Sequence, residues 1–270
     1  MRCLVVADLH YALPQFDWVL NVADRFDLVI MAGDHLDLGS AVEGGAQIVV
    51  VRKYVELWRA KTKVICCSGN HDLDSRNAEG EKIANWLGGF RSHDVATDGD
   101  TVEIDDTLFT ICPWWDGPLT QERIGQQIAN DAKKRKGRWV WVHHAPSDQS
   151  PTSWSGKKHF GDAALRAWIE QFRPDLVVSG HVHQSPFVKE GSWVDRIGET
   201  WVFNTGQHIG APPAHIVIDT NHGEAVWMSA AGIQAVNFKQ QLQRPLPYLM
   251  APPEWFTSPG RAGGQTPAQT

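Results

Sequence analysis

Short apolar runs alternate with longer amphipathic segments over the first two thirds of the chain, and this alternation limits the folds that it can adopt. The apolar runs have the length of buried strands, and the segments between them repeat apolar residues at the spacing of a helix face. Strands that alternate with helices of this length predict βαβ units and a largely parallel sheet. The predicted strands are 3–7, 28–31, 64–68, 107–112, 139–142 and 176–179, and the predicted helices begin at Pro14 or span 48–60, 81–87, 121–136 and 162–172.

A different pattern follows Gly180. The strand-like runs 193–197 and 200–204 flank one short turn sequence, and the runs 214–219 and 224–229 flank another. Each pair predicts a β-hairpin. Because an antiparallel set of strands follows a parallel set, we expect two sheets packed face to face with helices outside.

The composition changes again near the end of the chain, where prolines stand among Gly, Gln and Thr. A segment of this composition does not form a packed core by itself. Residues 1–230 are therefore predicted to form one domain, and residues 231–270 a Pro- and Gly-rich tail. Tyr248, Leu249, Trp255 and Phe256 are apolar anchors within that tail. We expect them to lie across the domain surface or against a partner. If that partner is a second copy of the chain, the protein is a homo-oligomer.

Charge and cysteine content restrict the partners and the compartment. The net charge is −6 and the 25 Lys and Arg residues are scattered, which argues against nucleic acid or an anionic membrane as a partner. No apolar run is long enough to span a membrane, and the first residues do not form a signal peptide. Cys3, Cys66, Cys67 and Cys112 lie in strand-like runs without a C-x-x-C pair, as expected of buried free thiols in a reducing compartment. A cytoplasmic location is predicted.

Polar residues stand directly after five of the predicted strands. In an open α/β sheet the carboxyl ends of the strands meet at one edge, where ligands bind. Side chains of Asp, His and Asn brought repeatedly to that edge predict a metal site. The five motifs are Asp8-Leu9-His10, Gly33-Asp34-His35-Leu36-Asp37, Gly69-Asn70-His71-Asp72, His143-His144-Ala145-Pro146 and Gly180-His181-Val182-His183.

The donor types indicate which metals such a site would bind. Imidazole and carboxylate donors without a thiolate favour Mn, Fe, Co, Ni or Zn over Ca or Mg alone. The motifs hold more donors than one ion needs, so two ions sharing a bridging carboxylate are expected. Two such ions can hold a hydroxide as nucleophile and neutralise the oxygens of a phosphoryl group.

The ordered set D-x-H, G-D, G-N-H-D, H and G-H-x-H resembles the calcineurin-like metallophosphoesterase superfamily, which includes purple acid phosphatases and class III cyclic-nucleotide phosphodiesterases. The resemblance spans roughly residues 3–230. It implies a four-layer αββα sandwich, in which two mixed β-sheets are flanked by helices and a binuclear centre lies between the sheets. By motif position, it also implies that the first metal is bound by Asp8, His10 and His183, the second by Asn70, His143 and His181, and both by the bridging Asp34.

The same resemblance implies that His71 contacts the phosphate and protonates the leaving alkoxide, with Asp72 orienting its imidazole. His143 and His144 are adjacent; family position favours His143 as the ligand and leaves His144 to line the pocket. His35 is a candidate for substrate contact, although packing or a hydrogen bond behind the ligands is the more common role.

Trp114 and Trp115 lie between Pro113 and Pro118, in a loop that follows a predicted strand. They form either a rigid aromatic wall for a substrate group or a loop packed onto the domain.

These observations predict metal-dependent hydrolysis of a small-molecule phosphoester. A phosphodiester is favoured because it carries a single negative charge and no arginine cluster accompanies the motifs. The alternatives are a phosphomonoesterase, or a nuclease of the same fold, which would need a basic groove that the charge pattern does not show. A non-catalytic protein-binding scaffold is a third alternative, disfavoured because every motif residue is present.

Overall fold

The computed structural model describes residues 1–257, and the part of the predicted tail from residue 258 onward lies outside the described residues. Fourteen strands fall within the described part. In chain order they are β1 (Arg2–Val6), β2 (Leu28–Ala32), β3 (Lys63–Cys67), β4 (Ser75–Arg76), β5 (Lys82–Ile83), β6 (Thr101–Ile104), β7 (Thr107–Ile111), β8 (Arg138–Val142), β9 (Leu176–Ser179), β10 (Val194–Ile197), β11 (Thr200–Asn204), β12 (His215–Asp219), β13 (Glu224–Ser229) and β14 (Gly232–Asn237).

Two six-stranded mixed sheets contain most of these strands. Sheet 1 has the order β14-β13-β12-β1-β2-β3, and sheet 2 has the order β10-β11-β9-β8-β7-β6. Strands β1, β2 and β3 are parallel to one another, as are β7, β8, β9 and β11. The two predicted hairpins are confirmed as β10–β11 and β12–β13.

Helices cover the outer face of each sheet. The helices are α1 (Leu13–Val22), α2 (Gly44–Arg59), α3 (Pro118–Ala132), α4 (Ala163–Phe172) and the short α5 (Glu254–Thr257). Proline stands in the first turn of α1 and of α3, where its missing N–H is not needed. The Asp162 carboxylate caps α4 by accepting a hydrogen bond from the Leu165 N–H at 2.8 Å.

Three apolar clusters separate four layers. The inner cluster lies between the sheets and includes Val5 and Val140. A second cluster packs sheet 1 against α1 and α2 through side chains such as Trp58, and a third packs sheet 2 against α3 and α4 through side chains such as Ile128. The predicted αββα sandwich is therefore confirmed. All four cysteines are buried free thiols, as predicted.

The structure differs from the sequence prediction at residues 81–87, where we expected a helix. Strands β4 and β5 form a small hairpin there, and a 3-10 helix, Asn85–His93, follows. The Glu81 carboxylate explains the difference, because it accepts hydrogen bonds at 2.8 Å from the N–H groups of Leu119 and Thr120 in the first turn of α3. A contact with a distant helix therefore outweighs the local preference.

The predicted domain boundary after residue 230 also differs from the structure. It falls in the turn between β13 and β14, and β14 pairs with β13 along its whole length. The tail beyond β14 packs back on the same chain. Leu249 donates a backbone hydrogen bond to the Ile233 carbonyl at 2.8 Å, and Trp255 joins the cluster beneath sheet 1.

No helix in residues 1–257 combines the length and the apolar character that crossing a membrane requires. The cytoplasmic location and the homo-oligomer stay predictions.

The packing of Trp255 can be tested by mutation. Trp255 is only 9% exposed, so Trp255→Ala should lower the free energy of unfolding by about 3 kcal/mol. Tyr248→Ala is the control, because Tyr248 is 57% exposed, and it should cost less than about 1 kcal/mol. Urea unfolding followed by circular dichroism measures both. Equal losses for the two variants would contradict the docked position of Trp255.

Candidate metal centre

The candidate centre lies where the carboxyl ends of strands from both sheets meet. Seven donor residues follow β1, β2, β3, β8 and β9 and form two groups that share the Asp34 carboxylate. Within each group of carboxylate and imidazole donors, one candidate donor atom per residue lies within 4.8 Å of the others. The first group is Asp8, His10, Asp34 and His183, and the second is Asp34, His144 and His181, with Asn70 beside it.

In the first group, imidazoles from both sheets surround a fully buried carboxylate. Nε2 of His183 lies 3.1 Å from Oδ1 of Asp8 and 3.1 Å from Nε2 of His10. Nε2 of His10 lies 3.6 Å from Oδ2 of Asp34. The ring nitrogens of His10 and His183 and the carboxylates of Asp8 and Asp34 are thus close enough together to be donors to one ion.

In the second group, His144 and His181 approach Asp34 from sheet 2. Nε2 of His144 lies 3.2 Å from Oδ2 of Asp34, and this buried nitrogen makes no hydrogen bond of good geometry among the described residues. Nδ1 of His181 lies 2.9 Å from Oδ1 of Asn70. Among the described residues, Nε2 of His35 and of His143 are also buried without a hydrogen bond, so the short distance to Asp34 is what identifies His144 as a candidate metal donor.

The structure corrects the expectation that His143 is the ligand of the adjacent pair. The ring of His143 stacks on Trp115, with centroids 4.6 Å apart and planes 7° apart, and its Nδ1 lies 3.4 Å from the Cys112 carbonyl. His144 instead faces the centre, with Nδ1 2.7 Å from the Ala32 carbonyl.

Strand alternation explains this choice. Successive residues of an extended segment point to opposite faces of the sheet. Trp139 and Trp141 of β8 belong to the cluster under α3 and α4, whereas Val140 and Val142 belong to the cluster between the sheets. If the same alternation continues for two more residues, His143 lies on the helix side of sheet 2 and His144 lies between the sheets. This alternation is visible in the sequence.

A second correction concerns Asp72, which was expected to orient His71. The Asp72 carboxylate lies 2.9 Å from Nδ1 of His35 and accepts backbone N–H hydrogen bonds from His35, Leu36 and Gly69. His35 is fully buried, so it does not reach a substrate. Asp72 therefore holds the loops after β2 and β3 together, through His35.

His71 is held by a different group. The Leu38 N–H donates to Nδ1 of His71 at 3.4 Å, and the ring makes an edge contact with His10 at a centroid distance of 4.5 Å. Nε2 of His71 lies 3.9 Å from Oδ2 of Asp34, and 28% of the side chain is exposed. His71 thus stands at the open side of the centre with Nε2 near the shared carboxylate.

The two tryptophans of the loop after β7 have separate roles. The ring of Trp114 lies 5.1 Å from that of His181 and 5.8 Å from that of His144, so it borders the centre. Trp115 stacks on His143 and contacts Trp168 on α4. One tryptophan is therefore a wall of the site, and the other packs onto the domain.

The backbone at the centre is unusual in a way that the sequence did not indicate. Asp8, His10, Asp34 and His181 have φ values of 56°, 42°, 52° and 69°, in the left-handed region that residues with a Cβ rarely adopt. Such residues cluster at functional sites, where the surrounding structure holds them in place.

Two glycines allow the carboxylates to approach the backbone. A Cβ on Gly69 would collide with the Asp34 carboxylate and the Asp34 backbone nitrogen, and a Cβ on Gly180 would collide with the Asp8 carboxylate. The motif glycines are therefore required by this close approach.

Electrostatics leaves the carboxylates ionised. Burial would raise the pKa of Asp8, but His144, His10 and His183 hold it below its usual range, and His144 lowers the pKa of Asp34 against the same burial. Burial lowers the pKa of His144 in turn, but Asp34 and Asp8 outweigh it and raise that pKa to about 9. Burial together with His144 lowers the pKa of His181 to about 4.

These donors fit a pair of divalent ions. Ionised carboxylates and neutral imidazoles are the forms that bind a metal, and a metal at His144 would displace the proton that its raised pKa retains. Asp34 belongs to both groups and is placed to bridge two ions.

Known proteins resemble this chain in sequence family and in fold. The family model described as calcineurin-like phosphoesterase matches residues 1–185. The structure of TT1561 of Thermus thermophilus superposes with a TM-score of 0.57 at 11% identity, covering 88% of this chain and 98% of that one. The purple acid phosphatase PPD1 from yellow lupin (Lupinus luteus) seeds gives a TM-score of 0.54 at 12% identity over 88% of this chain and 52% of that one.

This chain therefore spans about half the length of the lupin protein, and at these identities the likeness shows the fold alone. No curated protein sequence matches the chain. The family model, however, covers more than half of the sequence and includes all five motifs. The chain belongs to the calcineurin-like phosphoesterase family.

Proposed function

We propose that this protein is a metal-dependent hydrolase of small-molecule phosphodiesters. One observation carries the proposal: two groups of carboxylate, amide and imidazole donors from both sheets share the single carboxylate of Asp34. The family supports metal-dependent hydrolysis of phosphoesters in general.

We assign the donors to two ions. The first would be held by Asp8, His10 and His183 and the second by Asn70, His144 and His181, with Asp34 between them. The donor set suits Mn, Fe, Co, Ni or Zn. Ions bound there would activate water for attack on phosphorus and neutralise the phosphoryl oxygens.

His71 is the proposed proton donor. The Leu38 N–H already donates to Nδ1, so a neutral His71 ring carries its own proton on Nε2, the nitrogen near Asp34. From that position Nε2–H can donate to a phosphoryl oxygen or to the departing alkoxide. The hydrogen bond from Leu38 would thus orient the His71 ring, the role that the family resemblance implied for Asp72.

The charge around the centre supports a diester. Within residues 1–257, the basic side chains that approach the Asp8 and Asp34 carboxylates, at 3.1 to 3.9 Å, are the imidazoles of His10, His71, His144 and His183, with no lysine or arginine among them. A phosphomonoester carries a second negative charge, for which a lysine or arginine at the centre would be the usual partner. A monoanionic diester matches this set of groups better.

Metal content and substrate preference test the proposal directly. Protein loaded separately with Mn, Fe, Co, Ni or Zn is expected to hold about two ions per chain, since two donor groups share the Asp34 carboxylate. It should hydrolyse bis(p-nitrophenyl) phosphate with a higher kcat/KM than p-nitrophenyl phosphate. A reversed preference would assign the site to monoesters. Less than one ion per chain and no turnover of either ester would remove the enzymatic interpretation.

The adjacent histidines provide a matched pair of variants. His144→Asn should lose one ion and reduce kcat/KM by at least about 100-fold, because Nε2 of His144 faces Asp34. His143→Leu should lower the melting temperature, because it removes the ring stacked on Trp115, but it should keep both ions. Metal analysis of the purified variants decides between them. Loss of an ion from His143→Leu alone would restore the original assignment.

Leaving-group dependence tests the role of His71. His71→Ala should retain both ions and lower kcat about 100-fold or more for an alkyl leaving group, which needs protonation. For p-nitrophenolate, which leaves without a proton, the loss should be much smaller. The two losses are measured by comparing the hydrolysis of p-nitrophenyl methyl phosphate and of dimethyl phosphate by the wild type and by His71→Ala. Equal losses for the two leaving groups would refute proton donation by His71.

A further inference from the structure

A cavity of about 450 Å³ is lined in part by Trp114, the residue that borders the candidate centre. It lies between the hairpin β4–β5, the 3-10 helix that follows it, and α3. The volume is within the range of sites that bind small organic molecules. No metal donor of the centre lines this cavity.

The cavity wall is mainly apolar and includes one buried hydrogen-bond donor without a partner among the described residues. Ile83, Ala84, Pro113 and Ile124 contribute apolar surface. Oδ1 of Asn77 accepts hydrogen bonds from the N–H groups of residues 79 and 81, which fixes the side-chain amide, while its Nδ2 is buried without a partner among the described residues. A buried donor without a partner is costly unless a ligand or water accepts from it.

The charged side chains of the wall already have partners. Nε of Arg91 lies 2.8 Å from an oxygen of Asp100, and Arg123 lies 2.9 Å from Glu79. The Asp98 carboxylate accepts the Ser68 N–H at 2.8 Å. With both arginines paired and the Asp98 carboxylate hydrogen-bonded to the backbone, the cavity suits an uncharged group.

Trp114 links the cavity to the centre through a hydrogen bond and a ring contact. The Trp114 N–H donates to Oγ of Ser68 at 2.9 Å, and Ser68 stands two residues before Asn70. The Trp114 ring lines the cavity and also lies 5.1 Å from the ring of His181. Trp114 is therefore shared by the cavity and the centre, which places the two next to each other.

The walls are held in position before any ligand arrives. Glu81 of the hairpin caps α3, and the Lys82 N–H donates to the Asp116 carboxylate at 3.0 Å. The ion pair between Arg123 of α3 and Glu79 adds a third link. Because the hairpin is fixed to α3, binding in the cavity requires little ordering of the protein.

We propose that this cavity binds the organic part of the phosphoester, an uncharged, flat aromatic group that carries a hydrogen-bond acceptor. The aromatic ring packs against Trp114 and the apolar wall, and the acceptor takes the hydrogen bond of Nδ2 of Asn77. The proposal rests on the proposed function, since the phosphoryl group would lie at the metal centre.

Non-hydrolysable ligands test the cavity by binding alone. Methyl methylphosphonate, 2-naphthyl methylphosphonate and 6-quinolyl methylphosphonate share one anionic group, and only the quinolyl ring carries an acceptor. Isothermal calorimetry on metal-loaded protein should give a Kd for the quinolyl ligand at least about 10-fold below that of the methyl ligand, as burial of an aromatic ring implies.

Two substitutions locate the effect. Ala84→Met fills the cavity and should bring the ratio of methyl to quinolyl Kd close to one. Ala132→Met, near the other end of α3 and outside the cavity wall, is the control and should keep the wild-type ratio. The wild type should bind the quinolyl ligand more tightly than the naphthyl ligand, because only the quinolyl ring can accept a hydrogen bond from Asn77. Asn77→Asp retains the oxygen acceptor of the hairpin turn but loses the NH₂ donor, so it should bind these two ligands equally.

Separate outcomes distinguish the two proposals. If the wild type hydrolyses phosphodiesters but binds the methyl and quinolyl ligands equally, or if Ala84→Met keeps the wild-type ratio, the cavity proposal is overturned. If no phosphoester is hydrolysed but the quinolyl ligand binds with the expected dependence on Ala84 and Asn77, the cavity proposal is supported and the proposed function fails. Asn77→Asp gives an independent answer if Ala84→Met does not fold.

Discussion

The burial of two carboxylates between the sheets determines how the rest of this structure is arranged. Asp8 and Asp34 follow strands of sheet 1, and a buried carboxylate without partners would strongly oppose folding. Sheet 2 supplies most of the compensation. The His181 N–H donates to the Asp8 carboxylate at 3.0 Å, and His183 and His144 approach the two carboxylates from the same side. The residues proposed to hold the metal ions therefore also join the two sheets at this end.

This dependence explains why the centre tolerates an unfavourable backbone. The left-handed conformations of Asp8 and Asp34 each cost about 1–3 kcal/mol, which neighbouring contacts must offset. The N–H of Asp8 donates to the Gly33 carbonyl at 3.1 Å, and the N–H of His10 donates to the Asp34 carbonyl at 3.1 Å. The first two motif loops thus hold each other in shape. Both loops also depend on glycines elsewhere, because Gly69 and Gly180 leave room for the carboxylates.

The order of the layers and the edge that carries the centre could be predicted, because both follow from periodicity and from where polar residues interrupt it. The choice between His143 and His144 could not be made from motif position, which does not resolve two adjacent identical residues. The alternation of Trp139 and Trp141 with smaller residues would have resolved it. The roles of Asp72 and of the segment after residue 80 depend on contacts with distant loops, namely His35 and the start of α3, and local sequence carries no information about these.

The return of the C-terminal segment across sheet 1 has a consequence for the behaviour of the protein at high concentration. Strand β14 is the last strand of its sheet, and an uncovered edge strand offers free N–H and C=O groups to any other chain. One of these groups, the Ile233 carbonyl, accepts a hydrogen bond from the Leu249 N–H, and Tyr248 lies against Gly232 at the start of the strand. A segment whose prolines prevent it from continuing the sheet is suited to this position, because it caps the edge and does not extend it. We therefore expect this segment to reduce the pairing of β14 with strands of other chains, and so to reduce aggregation.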